Sequence, residues 1–185
     1  MFTKEQLNSA VTDAIELMKV TVVRGLKEGM LTSPFYMVVA HTTPTGETKE
    51  KPFIHMLPGP VFAQEGLDRD GFMDLVEKMA DQTRGYAVVM GAYNFEAKTP
   101  SLPRKKQREW VARMPAEITD WPKHLLTEMA MISIERAGKL VLLKAKIIRS
   151  PQGDIERLGR WKKNNRPQVV GRSYSVLAAN RKGMS

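Results

Sequence analysis

Between residues 125 and 162 the chain lays down three runs of strand-forming residues with very little between them. The first, 125–136, alternates and sets Ala130, Ile132 and Ile134 on one side. The second, 139–149, follows the dipeptide Ala137-Gly138 and reads Lys-Leu-Val-Leu-Leu-Lys-Ala-Lys-Ile-Ile-Arg. The third, 155–162, follows the turn sequence Pro151-Gln-Gly-Asp154. Parallel neighbours need a crossover of about a dozen residues or more, and connections this short leave only hairpins. The segment is therefore predicted to form an antiparallel meander, and any fold of the chain has to contain it.

Upstream, the period changes. Leu7, Val11, Ile15, Met18, Val22 and Leu26 recur at steps of three and four, which predicts a helix over 3–28. Thr3 and Gln6 have capping-box spacing, and Gly29 is a stop. Such a stripe covers its own core; the alternative is self-association through it. Residues 35–43 and 49–57 read as two strands around the turn Pro44-Thr-Gly-Glu47. Pro52 cannot donate to a ladder, so the second strand belongs at an edge or a bulge. With the turn at Thr45-Gly46, His41 would oppose Glu50 and His55 would oppose Tyr36, on opposite faces of the sheet. Pro58-Gly-Pro60 reads as a break. A second helix is predicted over 68–83, capped by Asp68, with Phe72, Leu75, Val76 and Met79 on its inner face. Tyr86-Ala-Val-Val-Met90 opens an interior strand running to about Glu96. Residues 97–123 hold four prolines and form a long variable loop with room for a short helix near 104–113.

This order predicts an α+β domain over 1–164. It has a single mainly antiparallel sheet of about six strands, with the N-terminal helix and a second helix covering one face. Residues 165–185, rich in Gly, Ser and Asn, are expected to form a flexible basic arm.

Several function classes drop out. The chain has no cysteine, so disulfides, thiolate metal sites and cysteine nucleophiles are excluded. Asp68-Arg-Asp70-Gly begins like a calcium loop, but Phe72 and Met73 stand where oxygen ligands belong. No histidine has metal-ligand spacing to another, and no glycine-rich phosphate loop occurs. No cofactor or metal is expected. Glu5, Asp13 and Glu16 interrupt the N-terminal segment, and no long uncharged apolar stretch follows. A cytoplasmic protein without membrane attachment is expected.

Charge carries what functional signal there is. The last 29 residues hold eight cations and no carboxylate, which leaves the rest of a +9 chain close to neutral. The cations are Arg157, Arg160, Lys162, Lys163, Arg166, Arg172, Arg181 and Lys182, with Trp161 and Tyr174 among them. Arg104, Lys105, Lys106 and Arg108 form a second cluster in the variable loop. Cations that neutralise phosphates, interleaved with rings that stack on bases, point to nucleic acid, with an acidic protein as the other partner. A non-enzymatic binding protein is the leading expectation. Two alternatives stay open. One is a small enzyme in which Glu128, a carboxylate on the apolar side of its strand, works with His41, His55 or His124 as an acid–base pair. The other is a homo-oligomeric structural component assembled through the N-terminal helix.

The pattern over residues 34–162 resembles a family of small uncharacterised α/β proteins from bacteria and phages. The resemblance is carried by Phe35-Tyr-Met-Val-Val, Tyr86-Ala-Val-Val-Met90, Pro122, Glu128-Met-Ala-Met-Ile-Ser-Ile-Glu135, Gly153 and Gly159-Arg-Trp161. Where the family pattern has a tryptophan near the end of the third strand, this chain has Tyr93 or Phe95. The resemblance implies the α+β fold and brings no catalytic set with it.

Overall fold

The computed structural model describes residues 1–30, 34–98, 100–137 and 139–164. The chain opens with helix α1 (Lys4–Lys27) and continues through strands β1 (Phe35–Ala40) and β2 (Phe53–Pro58), then helices α2 (Gly59–Gln64) and α3 (Arg69–Gln82). Strand β3 (Gly85–Ala97) and helix α4 (Arg104–Ala112) follow, and then β4 (Leu126–Arg136), β5 (Lys139–Arg149), β6 (Ile155–Leu158) and β7 (Lys162–Asn164). The strands form one antiparallel sheet in the order β2-β1-β3-β4-β5-β6, with β7 beside β6 on the same edge of β5. The α+β class, the meander, the edge position of β2 and the interior position of β3 are as the sequence predicts. The third meander run is two short strands instead of one. A bulge lies opposite at Ile148/Arg149, and the break at 159–161 is anchored where the Gly159 amide donates to the Lys146 carbonyl at 2.8 Å.

Both predicted helix starts form. The Gln6 amide donates to the Thr3 hydroxyl and the Thr3 amide donates to the Gln6 side chain, which is the reciprocal capping box. The Asp68 carboxylate accepts from the Gly71 amide at 2.8 Å. One helix was not legible. Pro58-Gly-Pro60 leads into α2, because a proline in the first turn has no amide to lose there.

The helices do not share a face, which corrects the expected layering. Ala10, Val11, Ala14, Met18 and Val22 of α1 cover Met37, Val39, Val89, Ile132 and Ile134 on one side. Phe72, Met73, Val76 and Ala80 of α3 cover Tyr36, Val38 and Val88 on the other. The cause lies in β1, which is apolar and buried at every position from Phe35 to Ala40, so both of its sides need a cover. The α1 stripe is therefore spent on the chain's own sheet. Gly91 sets how closely α1 approaches. A Cβ there would overlap the side chains of Met18 and Val22.

The first hairpin has a longer loop than predicted. Val38 opposes His55 and Tyr36 opposes Leu57, a register two residues away from the expected one. The loop closes by paired bonds between Thr43 and Glu47, with Gly46 at φ 85°, a left-handed conformation that favours glycine. A shift of two keeps the alternation. His55 shares the α3 face with Val38, and His41 stacks on Phe2 beside the start of α1, so the two histidines are on opposite faces.

Candidate functional site

Period two along β5 decides what its two faces carry. Ile147 is in the α1-side core, and Ala145, buried opposite Ala130, is on the same side, so Lys144, Lys146 and Ile148 point to the other face. On that face α3 packs against β1 and β3, and its core cluster takes no residue from β5. The register then adds cations from the neighbouring edge. Lys162 lies opposite Lys144, and Arg157 lies opposite Ile148. Lys144, Lys146, Arg157 and Lys162 thus share one face within about 13 Å along β5. Lys163 pairs with Leu143 and points to the α1 side, and Arg160 sits in the connector between β6 and β7.

Like charges placed directly opposite in a sheet destabilise it. The Lys144–Lys162 pair is eased on one side only, because Lys144 reaches across β4 to Glu96 at 3.5 Å. Arg157, Arg160, Lys162 and Lys163 are exposed and make no ion pair among the described residues. From Lys139 to Asn164 the sequence holds eight cations against two carboxylates, Asp154 and Glu156.

The second cluster lies on α4. Arg104, Lys105, Lys106 and Arg108 are exposed and likewise make no ion pair among the described residues. The helix buries none of its residues, and Trp110 meets Trp121 edge-to-face beneath it. Arg104-Lys105-Lys106 occupies the first turn, which has no acidic residue and no side-chain cap. Three cations at the positive end of a helix dipole are unfavourable without an anion nearby. The α4 excursion leaves β3 at Ala97 and re-enters at Leu126, which pair with each other at the end of the sheet where β6 begins. The structure brings Arg157, Arg160, Lys162 and Lys163 onto one edge and holds the α4 cations apart on their own helix. Arg166, Arg172, Tyr174, Arg181 and Lys182 lie outside the described residues.

Trp161 needs a correction. Its ring is half-buried against the α1-side core, so it packs on the protein instead of standing among the cations as a stacking platform. Lys144 and Lys146 do not stand out in the sequence as a charge run. Their signal is weaker: two lysines alternate with Ala145 and Ile147 inside an otherwise apolar strand.

Glu128 does not form the acid–base pair with a histidine. Alternation places it on the α1 face at the strand end, as expected, but its partners are Tyr93 and Arg149. Tyr93 donates to Oε1 at 2.9 Å and Arg149 donates to Oε2 at 2.5 Å. Arg149 also donates to the Gly153 carbonyl, so the group ties β3, β4 and β5 to the turn before β6. Burial alone would raise the Glu128 carboxyl. Hydrogen bonds from Arg149 and Tyr93, with the charges of Arg149 and Lys123, outweigh burial and hold it below its ordinary value. Burial, together with the Glu128 carboxylate, pushes the Tyr93 hydroxyl up to about 12. A carboxyl depressed by folding stabilises the fold above its ordinary value, and that contribution is lost as pH falls through its folded value. Thermal melts of native and Glu128→Gln protein should therefore differ most near neutrality and converge in acid. A difference that stays constant with pH would contradict the ion-pair assignment.

Among the described residues no three His, Asp or Glu side chains are grouped to hold a metal ion, and no helix is long and apolar enough to cross a membrane. No family model, curated protein or solved structure matches the chain.

Proposed function

We propose that the protein is a non-enzymatic binding protein that grips nucleic acid through the basic edge formed by β5, β6 and β7. Arg166, Arg172, Arg181 and Lys182 extend that charge along the chain, and the α4 cations form a second point of attachment. One observation carries the reading: eight exposed cations, four along the β6–β7 edge and four on α4, make no ion pair among the described residues. Ion pairs such as Lys19–Glu16, Arg24–Glu28 and Arg149–Glu128 show that the same fold does pair lysines and arginines where carboxylates are near.

The β3, β4 and β5 residues that share the face with Lys144, Lys146, Arg157 and Lys162 include Met90, Ala92, Met131, Ser133 and Leu142, none of them aromatic. Met90 opposes Ser133, Ala92 opposes Met131, and Ser133 opposes Leu142. Without rings to stack on bases, affinity comes from phosphates and is indifferent to sequence.

The test is a salt-titrated binding measurement on the full chain. Labelled duplex DNA, single-stranded DNA and polyglutamate serve as the probes. Binding to nucleic acid of unrelated sequences, weakening steeply and linearly on a log–log salt plot, is expected. Equal affinity for polyglutamate would assign the edge to acidic proteins instead. No binding to any probe at low salt would overturn the reading.

A further inference from the structure

We propose that the outer face of α1 is a self-complementary surface on which α1 of a second copy docks antiparallel, centred on Val20. The inner face of α1 is consumed by the sheet, but its outer face carries apolar side chains with no cover among the described residues. Val20 is 65% exposed and Leu17 43% exposed, and a shallow groove along the helix is lined by Lys19, Val20, Val23, Arg24, Lys27 and Glu28.

The charges around that patch select its occupant. Asp13 and Glu16 stand seven and four residues before Val20; Lys27 and Arg24 stand seven and four residues after it. Leu17 and Val23 stand three residues to either side. All six positions are exposed or half-buried, on the side of α1 away from Met18 and Val22. A two-fold interface requires that if one residue faces another, the second faces the first in turn. An antiparallel pair centred on Val20 meets that condition. It places the acidic half of each helix against the basic half of the other, Val20 against Val20, and Leu17 near Val23. A parallel pair would set Asp13 against Asp13 and Arg24 against Arg24. Within one copy Glu16 pairs with Lys19 and Arg24 with Glu28, both on the surface, so little is lost when they exchange partners.

The chain has no cysteine, which makes the test clean. Val20→Cys puts one thiol at the two-fold axis, where two copies can bridge. Asp13→Cys puts one thiol on the same face, about 21 Å from its mate in the antiparallel pair and out of disulfide reach. Mild oxidation should convert Val20→Cys to a covalent dimer and leave Asp13→Cys monomeric. Sedimentation equilibrium should show native self-association, weakened about tenfold or more by Arg24→Glu with Lys27→Glu, because like charges then meet. Adding Asp13→Lys and Glu16→Lys to that variant should restore it. A native chain that stays monomeric at high concentration, bridging through Asp13→Cys as readily as Val20→Cys, or no restoration in the charge swap would each overturn the proposal.

Discussion

Replacing Gly91 with valine is expected to be the most destabilising single change on the sheet, costing about 3 kcal/mol. Gly91 is buried in β3 directly beneath α1, and even one added carbon would overlap Met18 and Val22. Both of those side chains are fully buried, so neither can swing aside without opening a gap elsewhere in the core. Valine does favour strands over glycine, but that preference spans only about 1 kcal/mol and does not offset the overlap. For a chain of this size the loss corresponds to a fall in melting temperature of roughly 6–12 °C. Val22→Ala is harmful alone, since it empties a filled site, yet in the Gly91→Val background it should recover part of the loss. Effects of residues that touch are not additive, and the sign of that non-additivity is the test. Additive effects would mean that α1 does not rest on Gly91.

The fold was readable in the sequence wherever local pattern and tertiary demand agree. The α1 stripe, the capping box at Thr3 and Gln6, the Asp68 cap, and the hairpins between β4, β5 and β6 all follow from spacing that only one local structure satisfies. The layering was not readable from the helices, because an amphipathic helix shows that it covers something without showing which side of the sheet. The information was in β1, whose unbroken apolar run requires cover on both faces. The first hairpin's register slipped by two because its loop is closed by Thr43 and Glu47, a pairing that local propensity does not reveal. At the candidate site, the cations of Arg157, Arg160, Lys162 and Lys163 stood out as a charge run. Lys144 and Lys146 were hidden because they are diluted by the aliphatic residues of β5. Trp161 looked like part of the basic patch because sequence proximity carries no direction, whereas in space its ring lies on the core.

Neutralising the basic edge should produce the largest functional effect. Arg157, Lys162 and Lys163 are exposed and make no ion pair among the described residues, so glutamine at all three leaves no stranded carboxylate there. The fold should therefore hold, and relief of the Lys144–Lys162 repulsion works in the same direction. Each phosphate that is no longer neutralised takes about one unit off the salt slope, so the triple variant should be about three units shallower. Affinity near physiological salt should fall by about tenfold or more, uniformly across probe sequences. The matching change on α4, Arg104, Lys105 and Lys106 to glutamine, should weaken binding less, because that helix stands on its own with no neighbouring cationic strand. Loss of binding confined to the α4 variant would move the interface away from the sheet edge.

The most direct measurement is an amide chemical-shift titration of the full chain with a short duplex of arbitrary sequence at low salt. Perturbed amides should cluster at Lys144, Lys146, Arg157, Lys162 and Lys163, and the shifts should reverse as salt is raised. Perturbations centred on β2 and α3, with the β5 edge unmoved, would mean that the cationic strands are not where nucleic acid binds.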